Sequence, residues 1–416
     1  MRTVVDMRIL IIHMRYSPDL TGTGPLVTQL AEDLAASGES VTVVTSMPHY
    51  GQTKVYSDFQ KYQWFFHRED FHGVRVWRTP VYVPPNPQMY HRALNYLSFT
   101  VLSLLPAFLS GPTDVILCIN PPITTGLSAW VVAAFMNKPL VLNIQDVWPD
   151  GAVLIGQLKN RWLILASSLL EKFLYRVASQ VVVISSGMRR NLIRKGVPSN
   201  KIETLHNWAD VMRIQPLPKD NWFRRRHGLN GQFVVLFAGN HGYVSALETV
   251  VEAACLLRDE PNVLFLFVGE GSVKSRLALL ARQLDLKNVR FLSTQPAEDL
   301  PELLASADVS LVTLRGSLGE LSVPSKTYSI MASARPILAA VPLDSEVATL
   351  IVEAKCGIRV APDDPKSLAE GIRQIIADPE KHKGYGINGR QYVVKHYQRS
   401  LLTARYHELL KRVVNT

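Results

Sequence analysis

The feature that most limits how this chain can fold is an alternation that occurs twice. Short apolar runs at 8–13, 40–45, 74–78, 114–119, 139–144, 180–184 and 201–205 read as buried strands. Stretches at 26–37, 163–178 and 188–195, together with the apolar run 124–136, read as helices between them. Residues 211–231, with Pro216, Pro218 and clustered charge, read as a linker, and the pattern then restarts. Strands follow at 233–237, 263–268, 289–292, 307–314, 337–341 and 356–360, with helices at 246–257, 272–284, 298–305 and 366–377 and a helical tail at 392–414. Strands separated by helices must cross over, which builds parallel sheets covered on both faces. The expectation is an α/β chain of two doubly wound, Rossmann-like domains facing across a cleft. The first spans 1–210, the second 211–390, and 391–416 forms a C-terminal helix packing back on the first. A chain of 416 residues also exceeds what one core usually serves.

The three cysteines lie far apart, with no CxxC and no Cys/His cluster, which points away from a disulfide framework or a zinc site and toward a reducing compartment. The opening apolar run is broken by Asp6, Arg8 and His13 and reads as a strand rather than a secretory signal. Met7 is a second candidate start, since a complete strand opening follows it, so the standing of residues 1–6 is open. The net charge of +10 gathers at Arg189, Arg190, Arg194 and Lys195 and again at 224–226. No nucleic-acid motif accompanies it, so an anionic membrane surface or a phosphate-bearing substrate is the expected partner, with solvated helix faces the alternative for at least part of the charge. The most apolar run, 94–109, contains Pro106 and falls short of the roughly twenty residues a spanning helix needs. It reads as a buried or interfacial helix.

Chemistry concentrates at strand ends. Residues 323–340 read as a helix opened by Pro324, with Ser325 or Ser322 as cap, followed by a strand; a loop carrying Arg315, Gly316, Gly319 and Glu320 precedes it. Free N–H groups at a helix start, joined by Ser325, Lys326 and Thr327, make an anion site. The alternative is an ordinary capped helix with a solvated lysine. Thr21, Gly22, Thr23 and Gly24 close the loop after the first strand, in a spacing that is not GxGxxG and implies no nicotinamide cofactor. Asp146 lies just past a strand end, where it serves either as a general base or as a cap beside Pro149. The aromatic, proline-marked segment 48–92 reads as a long functional insertion.

Taken together these residues resemble the GT-B glycosyltransferases, specifically the large retaining group called family 4. The resemblance rests on Thr21–Gly24 as an acceptor-side loop, on His206-Asn207-Trp208-Ala209-Asp210 between the domains, and on 237–242 and 268–272 as donor-domain loops. Pro324-Ser325-Lys326, with Met331-Ala332 and Arg335-Pro336-Ile337, looks like the nucleotide-sugar loop. Gln145-Asp146-Val147-Trp148-Pro149-Asp150 and 324–332 are similar to the fucosamine and colanic-acid branch, which builds O-antigen or exopolysaccharide on lipid-linked acceptors. The chain also departs from the pattern. Leu321 and Ser329 stand where most members carry two glutamates, with Glu320 beside the first. Asn240 and Ala246 lie near the usual Arg and Lys, and Gln145 stands where many members have His.

The resemblance implies a retaining transferase using a nucleotide-diphosphate sugar, with UDP as the expected nucleotide; no Asp-x-Asp stands at a strand end to hold a metal, so neither metal nor resident cofactor is expected. It assigns catalysis to Asp146 and Lys326. Donor contacts fall to Gly239, Asn240, His241, Gly242, Gly269, Glu270, Gly271, Lys274, Arg315, Glu320, Ser325, Thr327, Tyr328 and Ser329. The acceptor is expected to be lipid-linked or a glycan, at the inner face of an anionic plasma membrane, with no nucleic acid involved. Two rival readings stay open: a sugar-nucleotide 2-epimerase of the same architecture, and a donor-binding subunit without chemistry.

Overall fold

A computed structural model of the chain describes residues 6–19, 22–49, 54–85 and 89–416. The chain divides into two compact units, one running to His206 and resuming at Ser400–Thr416, the other comprising Asn207–Arg399.

The first unit holds β1 (Arg8–Ile12), β2 (Ser40–Ser46), β3 (His67–Phe71), β4 (Val74–Thr79), β5 (Val115–Asn120), β6 (Leu140–Ile144), β7 (Gln180–Val183) and β8 (Ile202–Thr204). The sheet runs β3-β4-β2-β1-β5-β6-β7-β8, parallel except for the β3–β4 pair. Strands β5 and β6 are buried at every position, as a sheet covered on both faces requires. The insertion expected at 48–92 is partly regular: β3 and β4 form a hairpin through His72 and Gly73, both with positive φ. Strand β3 reads His-Arg-Glu-Asp-Phe, and its charges suit a sheet edge that must not pair further. The tail is two helices, Pro379–His396 and Arg399–Val414, rather than one. The second belongs to the first unit, where the Tyr406 hydroxyl accepts from Asn143 Nδ2 and His407 Nε2 meets Glu39 at 2.5 Å.

The second unit holds β9 (Phe233–Ala238), β10 (Val263–Val268), β11 (Val289–Leu292), β12 (Val309–Thr313), β13 (Ile337–Ala340) and β14 (Gly357–Val360). All pairings are parallel, in the order β11-β10-β9-β12-β13-β14. Phe237, Phe265 and Phe267 pack with Leu247, Val250 and Leu277 into the core beneath β9 and β10. The order reverses between β9 and β12 here and between β1 and β5 in the first unit. At such switch points the loops leaving adjacent strands diverge and open a crevice beyond the carboxyl ends.

Candidate functional site

In the second unit three loops leave the sheet at its switch point. Residues 239–242 follow β9, 269–271 follow β10, and 314–325 follow β12. The first two are pressed backbone to backbone: Gly239 N–H donates to Val268 O at 2.9 Å and His241 N–H to Glu270 O at 2.8 Å. A side chain at Gly269 would put its Cβ 2.1 Å from the Gly239 carbonyl oxygen, and one at Gly271 would come within 2.3 Å of the His241 carbonyl. The glycines are there because nothing larger lets the loops close.

Lys326 rises into this crevice from the helix Lys326–Ala332. Its ammonium lies 3.2 Å from the centroid of the Phe237 ring, the penultimate residue of β9, and 3.8 Å from where a Cβ on Gly239 would sit. The residue as a whole is part-exposed, yet its charged end is out of water, which drives its pKa well below the lysine range. Among the described residues no carboxylate pairs with it. A ring face alone compensates a desolvated ammonium poorly, so the position favours an incoming anion.

The neighbouring cations are engaged. Lys274 pairs with Glu270 at 2.7 Å and also donates to Leu292 O. The Lys274 hydrogen bond holds Glu270 below the ordinary carboxylate range, so this half-exposed side chain is an ionised acceptor fit for hydroxyl groups. Arg315 donates from Nε to Tyr243 O at 2.6 Å and lies 3.5 Å from Glu248. Gly316 N–H donates to Asp363, and a Cβ on Gly319 would strike Asp344, so the loop after β12 is tethered on both sides.

Several expected contacts lie elsewhere. Thr327 is buried, and both its hydroxyl and its N–H donate to Pro324 O. Tyr328 is buried against Tyr397, with ring centroids 4.9 Å apart. Both face inward because the helix must bury one side, so neither presents its side chain to a donor. His241 is buried among Phe237, Phe267 and Phe291, and burial pushes it down to about 4, so the ring is neutral. Only its backbone belongs to the loop contact. Ser325 stands at the helix cap position, but its hydroxyl makes no capping bond and is exposed. Leu321, at a family glutamate position, is buried, whereas Glu320 and Ser329 are part-exposed. Asn240 is exposed, and its side chain reaches within 3.2 Å of where a Cβ on Gly242 would be.

In the first unit polar groups line the ends of β1, β5 and β6. His13, just past β1, is buried and was not singled out from sequence. A lone polar residue ending an otherwise apolar strand was the available signal. Its Nδ1 lies 2.8 Å from Ile119 O, which must accept, so Nε2 accepts from the Thr23 hydroxyl at 2.7 Å. Burial lowers this histidine to about 4, which keeps it neutral. Gly24 passes so close to Asp19 that a Cβ would sit 3.0 Å from its carbonyl oxygen, while Gly22 is exposed with φ +67°. Thr21 lies outside the described residues. Gln145 is buried and donates to Asn143, which leaves the next residue, Asp146, exposed beyond β6.

Two Rossmann-like α/β units, each with a crevice at its switch point, define the GT-B fold of nucleotide-dependent sugar transferases. Residues 21–208 match the glycosyl transferase 4-like domain and residues 219–392 the glycosyl transferases group 1 domain, so the chain belongs to the family 4 type glycosyltransferases of cell-surface polysaccharide synthesis. It is 32% identical to the putative colanic acid biosynthesis glycosyl transferase WcaI of Escherichia coli K12, over 90% of this chain and 93% of that one. It is 31% identical to the probable glycosyltransferase WbjE of Pseudomonas aeruginosa over 56% of this chain and 59% of that one. Among solved structures, Thermosynechococcus elongatus sucrose-phosphate synthase superposes with a TM-score of 0.77 at 18% identity, covering 98% of this chain and 99% of that one. Anabaena HepE in complex with UDP and glucose superposes with a TM-score of 0.73 at 16% identity, covering 98% of this chain and all of that one.

Proposed function

We propose that the chain moves a sugar from a nucleotide-diphosphate sugar, with UDP as the nucleotide, onto a hydroxyl of a lipid-linked or glycan acceptor, retaining the anomeric configuration. The desolvated, carboxylate-free Lys326 ammonium beside Gly239 carries this reading. As the bond between the anomeric carbon and the diphosphate breaks, negative charge builds on the leaving oxygen, and the Lys326 amine, protonated once the diphosphate lies beside it and held out of water, stabilises that charge without reorganising. Glu270 accepts from sugar or ribose hydroxyls, and the exposed Ser325 hydroxyl adds a donor at the loop mouth. Asp146 polarises the acceptor hydroxyl. No resident cofactor or metal enters the scheme. Anabaena HepE, which shares the fold, is solved with UDP and glucose, and this favours UDP here. The enzyme works at the inner face of an anionic membrane; among the described residues no helix is long and apolar enough to cross one.

The test incubates the protein with UDP- and GDP-sugars, with and without a polyprenyl-diphosphate glycan acceptor, in the presence of a chelator. Transfer from one nucleotide class, with retained configuration by NMR, supports the proposal. An epimer of the donor formed without acceptor, or nucleotide binding with no product, favours one of the two rival readings instead.

A further inference from the structure

The helices on one face of the first sheet bury Phe99, Ala107, Val132 and Leu174 inward and yet also expose apolar side chains where a solvated surface carries polar ones. Along Met89–Leu102 and the following turn Leu104–Phe108, the outward positions are Leu94, Leu97, Val101, Leu105 and Leu109, at three- to four-residue spacing. Asn95, Thr100 and Ser103 of the same stretch are buried. The helix Arg161–Val177 repeats this arrangement: Trp162, Leu165 and Leu169 are exposed, while Glu171 is buried against Lys195. Between them lies the helix Thr125–Met136, joined to one by Phe108 against Phe135 at 5.0 Å and to the other by Trp130 against Phe173 at 4.8 Å. Phe135 is 79% exposed, Trp162 68% and Val101 64%. Scattered apolar residues on a surface mean little, but a continuous stripe across adjacent helices marks a contact.

Charge selects the occupant. Residues 89–113 and 151–170 contain no Asp or Glu, and exposed Arg92, Lys159, Arg161 and Lys172 border the stripes. An apolar strip edged by cations and free of carboxylates complements an anionic bilayer, with the rings and leucines entering the headgroup boundary. We infer that this face, formed by 89–109, 125–136 and 161–177, is where the first unit lies on a membrane of anionic lipid. The inference rests on the reading of a membrane-borne acceptor and gives it a surface.

Flotation with phosphatidylcholine vesicles, with and without phosphatidylglycerol, tests it on the intact 416-residue chain. Wild type is expected to float with the anionic vesicles and to be partly released by salt. The double variant Leu97→Asp/Leu165→Asp alters exposed positions only and is expected to lose binding by about ten-fold or more. Leu343→Asp, exposed in the other unit, is expected to bind as wild type does. Wild type that ignores anionic vesicles, or a double variant that floats equally well, overturns the inference. So does a wild-type dimer that the double variant converts to monomer while vesicles are ignored, since the occupant is then a second copy. UDP binding by the same preparations reports separately on the donor site, and its absence beside intact flotation leaves the membrane face standing.

Discussion

The Lys326 ammonium lies 3.2 Å from the centroid of Phe237, with no carboxylate among the described residues to pair with it. The folded state lowers this lysine's pKa, so near neutral pH the unfolded chain holds its proton more readily than the folded one. The cost is present below the unfolded lysine pKa and lifts as pH rises through that window. Lys326→Met therefore raises the melting temperature of the free protein at neutral pH, by about 2–4 °C for each kcal/mol recovered in a domain of this size. Differential scanning fluorimetry checks it. A variant that melts lower means that Lys326 has a partner holding it in the fold.

Nucleotide-diphosphate binding takes up a proton. The lysine pKa is low in the free protein and rises once a diphosphate lies beside it, so affinity falls as pH climbs between the two values, by up to about ten-fold per pH unit. Glu270, held low by Lys274, stays ionised throughout and adds no slope. Calorimetry in buffers of different ionisation enthalpy measures the uptake. Binding with no proton exchange rules out Lys326 as the titrating contact.

Gly269→Ala forces apart the loops after β9 and β10, because its Cβ meets the Gly239 carbonyl at 2.1 Å and its φ of +139° disfavours a side chain. A loss of about 2 kcal/mol or more in unfolding free energy is expected, along with weaker nucleotide binding. Denaturant titration of the variant measures the first. A stability change near zero would mean that the loops are not in contact.

Placing a glutamate at the family position does not restore a family contact. Leu321 is 7% exposed, so Leu321→Glu buries an unpaired carboxylate and destabilises the protein by about 2 kcal/mol or more. Glu320→Ala, altering a part-exposed side chain in the same loop, lowers turnover with little effect on stability. Higher turnover in Leu321→Glu contradicts this placement.

The strand–helix alternation carried nearly the whole architecture into view, because buried parallel strands are written as apolar runs. Strand β3 escaped that logic: at a sheet edge it is built from His67, Arg68, Glu69 and Asp70, and nothing in its composition says strand. The split of the tail at 397–398, where the chain nears its return to the first unit, has no local breaker to reveal it. At the site, Lys326 was legible as a cation at a helix start, but its stacking on Phe237 was not, since the two lie far apart in sequence. Thr327 and Tyr328 were expected at the donor because they adjoin Lys326. Successive positions on a helix point about 100° apart, and these two turn inward. The exposed leucines of 94–109 were visible as an apolar run, but which side of the helix they occupy is decided only by what packs behind it.

The most direct test of the account is calorimetric titration of UDP and GDP into wild type and Lys326→Met. The account predicts that wild type prefers UDP and that the substitution weakens binding by about 1–3 kcal/mol, the range for a charge-assisted hydrogen bond. Equal affinity in the two proteins would contradict it, leaving Lys326 as a buried structural lysine and moving the diphosphate away from the β9 loop.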